Sequence, residues 1–337
     1  MQHLGIHSRL IIMKKPFKRV NLCFIMSGNM LRILSLCAIG LLFLNETEAQ
    51  FNRKKGRPIE VGITAGASNY MGDLTPAIAI NETHPMGGII CRFNYSDFLT
   101  LRGNALFGQI SGSDKNYSDI AERYKRNLSF KSNILEFSGT VEFNLSGFTE
   151  TQRFNPASSY LFAGVGVYKF NPMAYFEYMP DVHTVSEYGD ISQFDGQWIE
   201  LQRLSTEGQE TTKYNERRRY SLTQISIPLG FGYKKQFYDV WAWGIELGAR
   251  KTFTDYLDDV SMTYVDPQIT GGSNTGLSAA LADRTPELRD PSLVNDYGNE
   301  ERLGAARGNQ TTSDWYLFLN FTLTRKITGG KAACPQF

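Results

Sequence analysis

From residue 59 onward the chain repeatedly alternates apolar residues with polar or small ones, and it does so in eight separate stretches. In "IEVGITAGASNY", Ile59, Val61, Ile63, Ala65 and Ala67 share one parity; Glu60, Gly62, Thr64, Gly66, Ser68 and Tyr70 share the other. A two-residue period is the signature of a β-strand whose faces meet different surroundings. "GIICRFNY", "LRGNALFGQ", "LEFSGTVEFNL", "SYLFAGVGVYKF", "TQISIPLGFGY", "WAWGIELGAR" and "DWYLFLNFTLTRK" continue the series. In "WAWGIELGAR" the greasy face carries Trp241, Trp243, Ile245, Leu247 and Ala249, and the other carries Ala242, Gly244, Glu246, Gly248 and Arg250. A soluble sandwich alternates in the same way, so no single strand separates the two architectures.

The connections separate them. Links "SDF", "SGFTETQRFNPAS" and "KKQFYD" are short to medium, and the intervening ones are longer, two of them reaching roughly fifty residues. Long and short links alternate strictly. Transmembrane barrels have short turns on the periplasmic side and long loops outside, whereas a sandwich has no reason for this order. The pattern predicts an all-β fold: an eight-stranded antiparallel up-and-down transmembrane β-barrel with a plugged lumen, short periplasmic turns and long extracellular loops. The barrel is expected over 58–328. Eight strands enclose a lumen that side chains can fill, so an open pore is not expected.

Strand direction then assigns the inward charges. Glu60, Arg92, Arg102 and Glu142 are all placed near the periplasmic end, facing in, on adjacent strands. They are expected to form a salt-bridge cluster that plugs the barrel, because buried charges must pair. Glu246 and Arg250 are also expected to face the lumen.

The first 49 residues read as a signal peptide. "LRILSLCAIGLLFL" is its apolar core, and Thr47 and Ala49 are the small residues before the cleavage point. "MKKPFKRV" from Met13 is a normal basic start, so the preceding dozen residues can be a start-site artefact. Leu36 stands where a lipoprotein would need a small residue before Cys37. A basic segment, 50–57, follows, and a short tail, 329–337, closes the chain. Removing the leader leaves Cys91 and Cys334, which make no disulfide framework and whose pairing the sequence leaves open.

Composition adds exclusions. Among 337 residues, Lys+Arg 35 against Asp+Glu 34 gives a net charge of +1, so no nucleic-acid partner is expected. Aromatic residues make up 13% of the chain, the mean hydropathy is −0.30, and no run after the leader suits a membrane helix. His84 and His183 have no spaced ligand partners and read as lone loop histidines on the surface. The acids of "DYLDDV" (Asp255, Asp258, Asp259) could be calcium ligands, but the EF-hand pattern is absent and an exposed acidic loop is the expectation. No catalytic group, cofactor, metal or small-molecule substrate is expected.

Several segments resemble the PorG-like outer-membrane proteins of Bacteroidetes, components of the type IX secretion system. They are "YMGDLTP", "LRGNALFGQISGSD", "TDYLDDVSMTYVDP", "SAALADRT", "RGN", "DWYLFLNFTLT" and the ending "CPQF". The resemblance spans essentially the whole chain after the leader, with two loops longer than the smallest members need. It implies a non-enzymatic protein integral to the outer membrane, in contact with its lipids. It also implies association with a periplasmic ring of a lipoprotein and its partner (PorK-like and PorN-like). Contacts to such a ring must come from the periplasmic side. The candidates are Arg53, Lys54, Lys55 and Arg57 before the first strand, and Arg153 in the turn 146–158. Lys234 and Lys235 in the turn 234–239 and Cys334 in the tail complete the set. The competing reading is a surface-binding or adhesion barrel acting through its long loops.

Overall fold

A computed structural model describes residues 59–148, 156–238, 240–266, 275–289 and 303–327. The expected signal peptide, the basic segment with Arg53, Lys54, Lys55 and Arg57, Arg153 and the tail with Cys334 lie outside these residues.

Ten strands are described: β1 (Ile59–Met71), β2 (His84–Asn94), β3 (Leu99–Ser113), β4 (Ser129–Asn144), β5 (Ala157–Lys169), β6 (Pro172–Phe176), β7 (Gln197–Glu200), β8 (Thr223–Phe237), β9 (Trp241–Thr252) and β10 (Trp315–Ile327). Eight of them close into an antiparallel ring in the order β1–β2–β3–β4–β5–β8–β9–β10, with β10 returning to β1. The closing seam runs in step from Ile59↔Ile327 to Met71↔Trp315. Closure removes every edge of the ring, the condition for backbone in hydrocarbon. β6 and β7 are additions that the alternation did not reveal. β6 flanks the far end of β4, at Lys131 and Ser132, and β7 pairs with β6.

One end of the ring carries the short links 95–98, 145–156 and 238–240, together with Ile59 and Ile327; the other carries the long links 72–83, 114–128, 170–222 and 253–314. The expected alternation of loop lengths is therefore present.

Burial follows parity around the ring. β4 alternates exposed and buried without interruption from Asn133 to Asn144. Phe137, Val165, Phe231, Ile245, Leu319 and Phe321 are exposed on the outside. A continuous apolar belt of this extent is untenable in water and natural in a bilayer. Trp243 stands in this outer face with Tyr233 and Phe321 at 5.7 and 6.3 Å between ring centroids. The belt fixes one expectation: Leu319→Arg, at the middle of β10's outer face, should cost about 2–4 kcal/mol of barrel stability. Urea titration in lipid vesicles measures it, and a change indistinguishable from zero would place that face outside the hydrocarbon.

The lumen is filled. Tyr160 and Phe162 of β5 reach across it because Gly230, Gly232 and Gly248 stand opposite. A Cβ at Gly232 would lie 2.5 Å from the Tyr160 ring, and one at Gly248 would lie 2.8 Å from Phe162. Inward glycines on β8 and β9 thus make room for aromatic rings of β5. At the short-link end Phe148 folds over the opening, 6% exposed, with Lys234 Nζ 4.7 Å and Lys326 Nζ 5.7 Å from its ring.

The long links do not spread outward. They fold over the other mouth into a cap whose apolar centre includes Leu74, Phe176, Tyr188, Leu204, Leu257 and Leu281, continuous with Ile110, Phe130 and Tyr316 of the ring. Helix Thr275–Ala282 buries all but its first two residues here. Its Gly276 touches the Tyr188 carbonyl so closely that a Cβ would lie 1.7 Å from the oxygen.

Candidate functional site

Two groups of charged side chains dominate the interior: one in the lumen, one in the cap.

The lumenal group centres on Glu142, which is fully buried. Its Oε1 accepts from Arg92 Nε at 2.8 Å and Arg102 Nη1 at 3.0 Å, and its Oε2 accepts from Lys234 Nζ at 2.9 Å. Arg102 Nη1 also reaches Glu246 Oε2 across the barrel at 2.7 Å. Glu246 accepts further bonds from the Tyr160 hydroxyl at 2.8 Å and from Asn320 Nδ2 at 2.9 Å. The Arg102 guanidinium lies over the Phe162 ring at 4.4 Å. Nearer the cap, Arg250 Nε pairs with Glu136 Oε2 at 3.1 Å, and the Tyr316 hydroxyl donates to the same oxygen at 2.9 Å.

Glu60, Arg92, Arg102, Glu142, Glu246 and Arg250 are all buried inside the ring, and of the four placed together by strand direction, Arg92 and Arg102 bind Glu142 while Glu60 does not join them. Two partners differ. Glu60 is held by Asn94 Nδ2 at 2.8 Å and Thr324 Oγ1 at 3.1 Å instead of by Arg92; Glu246 supplies the second acid. Lys234 is not in a periplasmic turn: it belongs to β8, is 1% exposed, and its ammonium lies inside the barrel on Glu142. Lys235 is in β8 too, on the outer face. Glu136, Tyr160, Tyr316 and Lys326 are lumenal partners that the sequence reading did not single out. Parity alone places each of them inside. Among the described residues, four lumenal acids (Glu60, Glu136, Glu142, Glu246) face five bases (Arg92, Arg102, Arg250, Lys234, Lys326). The interior is thus near neutral, with most of its charges paired inside the barrel.

The cap group overturns the expectation of an exposed acidic loop. Asp258 and Asp259 are each 1% exposed. Burial comes from the other links, which the local sequence does not report. Asp259 accepts from Thr206 Oγ1 at 2.5 Å and from the Tyr220 hydroxyl at 2.6 Å. Tyr220 in turn stacks on Tyr256 at 4.6 Å. Burial pushes the Asp259 carboxyl up to about 6, against the opposing pull of Arg307, and burial pushes Asp255 up to about 7.

Two arginines lace the links together. Arg126 binds both oxygens of Asp114 at 2.8 and 2.7 Å and donates to the carbonyls of Arg307 and Asp73 at 2.8 and 2.9 Å. Arg307 donates to Glu207 Oε1 at 3.0 Å, the Asp259 carbonyl at 2.5 Å and the Ala282 carbonyl at 3.1 Å. Glu207 also accepts from the backbone N–H of Ser261 and of Met262, each at 3.0 Å. One carboxylate and one guanidinium thus tie the long loop 170–222 to both halves of the loop 253–314.

Neither histidine is a free surface group. His84 opens β2, and its Nε2 lies 2.6 Å from Ser111 Oγ, which also donates to Glu82. His183 is 1% exposed and packs against Phe176 at 5.1 Å and Tyr188 at 5.6 Å. Among the described residues no group of three or more His, Cys, Asp or Glu is arranged to hold a metal. Cys91 is a free thiol on the outer face. It borders a shallow hollow of about 460 Å³ with Gly103, Ala105, Phe137 and Gly139, on the bilayer side and away from both charged groups.

The fold and interior define a class: a transmembrane β-barrel with a plugged lumen and a folded cap. A family model described as a domain of unknown function (DUF6089) matches residues 32–191, a little under half of the chain. No curated protein matches. Among solved structures the chain is similar to the N-terminal barrel domain of Pseudomonas aeruginosa OprF, at 9% identity, 80% and 97% coverage of the two chains and a TM-score of 0.29. Yersinia pestis Ail, the attachment invasion locus protein in complex with a heparin analogue, aligns at 8% identity, 80% and 97% coverage and a TM-score of 0.32. OprG of Pseudomonas aeruginosa aligns at 8%, 80% and 94%, with a TM-score of 0.30.

Proposed function

We propose that this protein is a non-enzymatic outer-membrane component of the type IX secretion system, standing on a periplasmic ring built from a lipoprotein and its partner. One observation carries the reading. The segments that resemble PorG-like proteins lie far apart in sequence, yet they converge in the cap. Tyr70 of "YMGDLTP" touches Asp258 of "TDYLDDVSMTYVDP" and Asp314 of "DWYLFLNFTLT". Arg307 of "RGN" donates to Asp259 and to Ala282 of "SAALADRT". Resembling residues that interlock in space support descent from one shared architecture better than the same residues scattered on a surface.

The filled lumen fits a role in anchoring rather than conduction. With the long loops outside, the ring contacts fall to the short-link end. The candidates there are Arg53, Lys54, Lys55 and Arg57, residues 149–155 with Arg153, the outer-facing Lys235, and the tail with Cys334. Lys234 is removed from this set by its place in the lumen.

The test is affinity purification of the full chain, tagged in the loop near Gly272 and gently extracted from outer membranes, with mass spectrometry of its companions. Recovery of a ring lipoprotein and its partner, lost when 149–155 are replaced and Phe148 and Ser158 kept, is the expected result. A barrel that comes out alone while the ring survives extraction would overturn it. The surface-binding reading, favoured by the folded cap that the long links build over the outer mouth, would then take its place.

A further inference from the structure

The end of β1 meets both ends of the longest loop at a single hydroxyl. Tyr70 Oη lies 2.7 Å from Asp258 Oδ2 and 2.8 Å from Asp314 Oδ1. All three side chains are at most 1% exposed. The remaining carboxyl oxygens are occupied: Asp258 Oδ1 accepts from Val260 N at 3.0 Å, and Asp314 Oδ2 accepts from Leu257 N at 2.9 Å. A phenol has one proton to donate. If both carboxyls were ionised, one of the two short contacts would set a carboxylate against a phenol lone pair in a dry interior. The arrangement closes only when one carboxyl is protonated, donates to the phenol oxygen, and lets the phenol donate to the other.

We propose that Asp258, Tyr70 and Asp314 form a proton-operated latch, in which one shared proton fastens the loop 253–314 over the barrel mouth and its loss releases the cap.

The surroundings hold that proton in place. Burial raises both carboxyls well above the ordinary range, and each raises the other or is raised by a further acid: Asp73 acts on Asp258, and Asp258 and Asp255 act on Asp314. The link 72–83 contributes Asp73 to this environment. The link 114–128 contributes Asp114, Arg123 and Arg126; β5 contributes Tyr168; and the loop 170–222 contributes Glu207 and Tyr220. The loop 253–314 itself contributes Asp255, Tyr256, Asp259 and Arg307. The cations are committed elsewhere. Arg126, whose charge reaches Asp258, is held bidentately by Asp114, and Arg307 is held by Glu207. The direction follows from proton linkage. A carboxyl whose folded pKa is raised binds its proton more tightly in the closed state. The stabilisation is therefore complete below the ordinary carboxyl range and is lost as pH rises through the raised value.

Hydrogen–deuterium exchange of the full chain in lipid vesicles tests the latch, comparing pH about 5.5 with about 8.5 after correction for intrinsic exchange. Amides at 254–262 and 308–314 are expected to open at least about tenfold more often at the higher pH, one pKa unit of linkage. The strand amides of β9 are expected to stay protected. Asp314→Asn supplies the missing proton permanently: its amide donates to the phenol, which donates to Asp258, while its carbonyl still accepts from Leu257. Protection should then be high at both pH values, with only the smaller pH dependence that Asp255 and Asp259 supply. Asp258→Asn should behave alike and serves if the first variant does not fold, which gel mobility reports. Asp255→Asn and Asp259→Asn should keep the pH dependence. A wild-type cap indifferent to pH overturns the latch, as does an Asp314→Asn or Asp258→Asn variant that retains the wild-type dependence.

Discussion

Glu142→Ala is expected to be the most damaging single change in the barrel, costing about 3–5 kcal/mol or preventing folding outright. The reason is the number of charges that depend on one carboxylate. Arg92, Arg102 and Lys234 all bind Glu142 within 3.0 Å, and each of the four side chains is at most 1% exposed. Removing the acid leaves three cations facing one another where water cannot screen them. Glu246 could relieve Arg102, which it already binds, but Arg92 would keep only Tyr160, its hydroxyl at 3.4 Å and its ring at 5.8 Å, and Lys234 only the rings of Phe148 and Tyr160 at 4.7 and 5.2 Å. Urea titration in vesicles, read by tryptophan fluorescence and gel mobility together, measures the loss. A shift below about 1 kcal/mol would mean the cluster is hydrated or rearranges freely, contrary to its geometry. The companion experiment replaces Glu142 and Arg92 together by apolar residues. It should recover part of the loss, because a buried pair costs desolvation that apolar side chains avoid.

Glu142 also marks how far the sequence could be read. Parity placed Glu60, Arg92, Arg102, Glu142, Glu246 and Arg250 inside, because a strand's faces are fixed by its two-residue period and nothing else. Parity does not say how far a side chain reaches. Glu60 stands level with Arg92 on the neighbouring strand, yet the arginine turns to Glu142, 50 residues away. Arg102 and Glu246, separated by 144 positions, meet only because the ring closes. Lys234 lies in the strand and not in a turn for another reason. "KKQFYD" has the composition of a turn, but in a barrel polar residues at inward positions continue the strand as readily as they end it. Lys234 keeps the parity of Gly230 and Gly232.

The cap was the least legible part. Loop lengths announced that four long links share one end, and nothing in "DYLDDV" announced that its acids are buried. Acidic residues are rarely enclosed, so an exposed loop was the reasonable expectation. The enclosing residues, Leu74, Leu204 and Leu281, come from three other segments. A signal is present in hindsight of the fold: Tyr70 and Tyr220 donate to Asp258 and Asp259, and Tyr256 stacks on Tyr220. No periodicity rule connects them.

Whether cap and barrel are one cooperative unit or two is decided by Arg307→Met. Arg307 is 2% exposed and has three acceptors, Glu207, the Asp259 carbonyl and the Ala282 carbonyl, on three different stretches of loop. Methionine roughly fills the space but donates nothing. Glu207 then keeps only neutral partners for a buried charge, the backbone N–H groups of Ser261 and Met262 and the Tyr256 hydroxyl, and two carbonyls lose their donor. The cost expected for breaking such a buried pair is about 3–5 kcal/mol. None of those partners belongs to the ring, so the loss should fall on the cap alone. Limited proteolysis should cut within 202–222 and 257–314 at least about a hundredfold faster than in the wild type, the factor that about 3 kcal/mol allows when opening is in rapid equilibrium. The urea midpoint of the barrel should remain where it was. The structure gives the reason: the ring's hydrogen bonds close upon themselves without the cap, and the lumenal cluster lies at the opposite end. Simultaneous loss of gel mobility and loop protection would instead show that the apolar contacts of Ile110, Phe130 and Tyr316 with the cap bind the two layers into one folding unit. Separate loss would leave a barrel that still spans the bilayer without its outer surface. That variant distinguishes a role carried by the cap from one carried by the short-link end, and a protein that works by standing on a periplasmic ring should tolerate it.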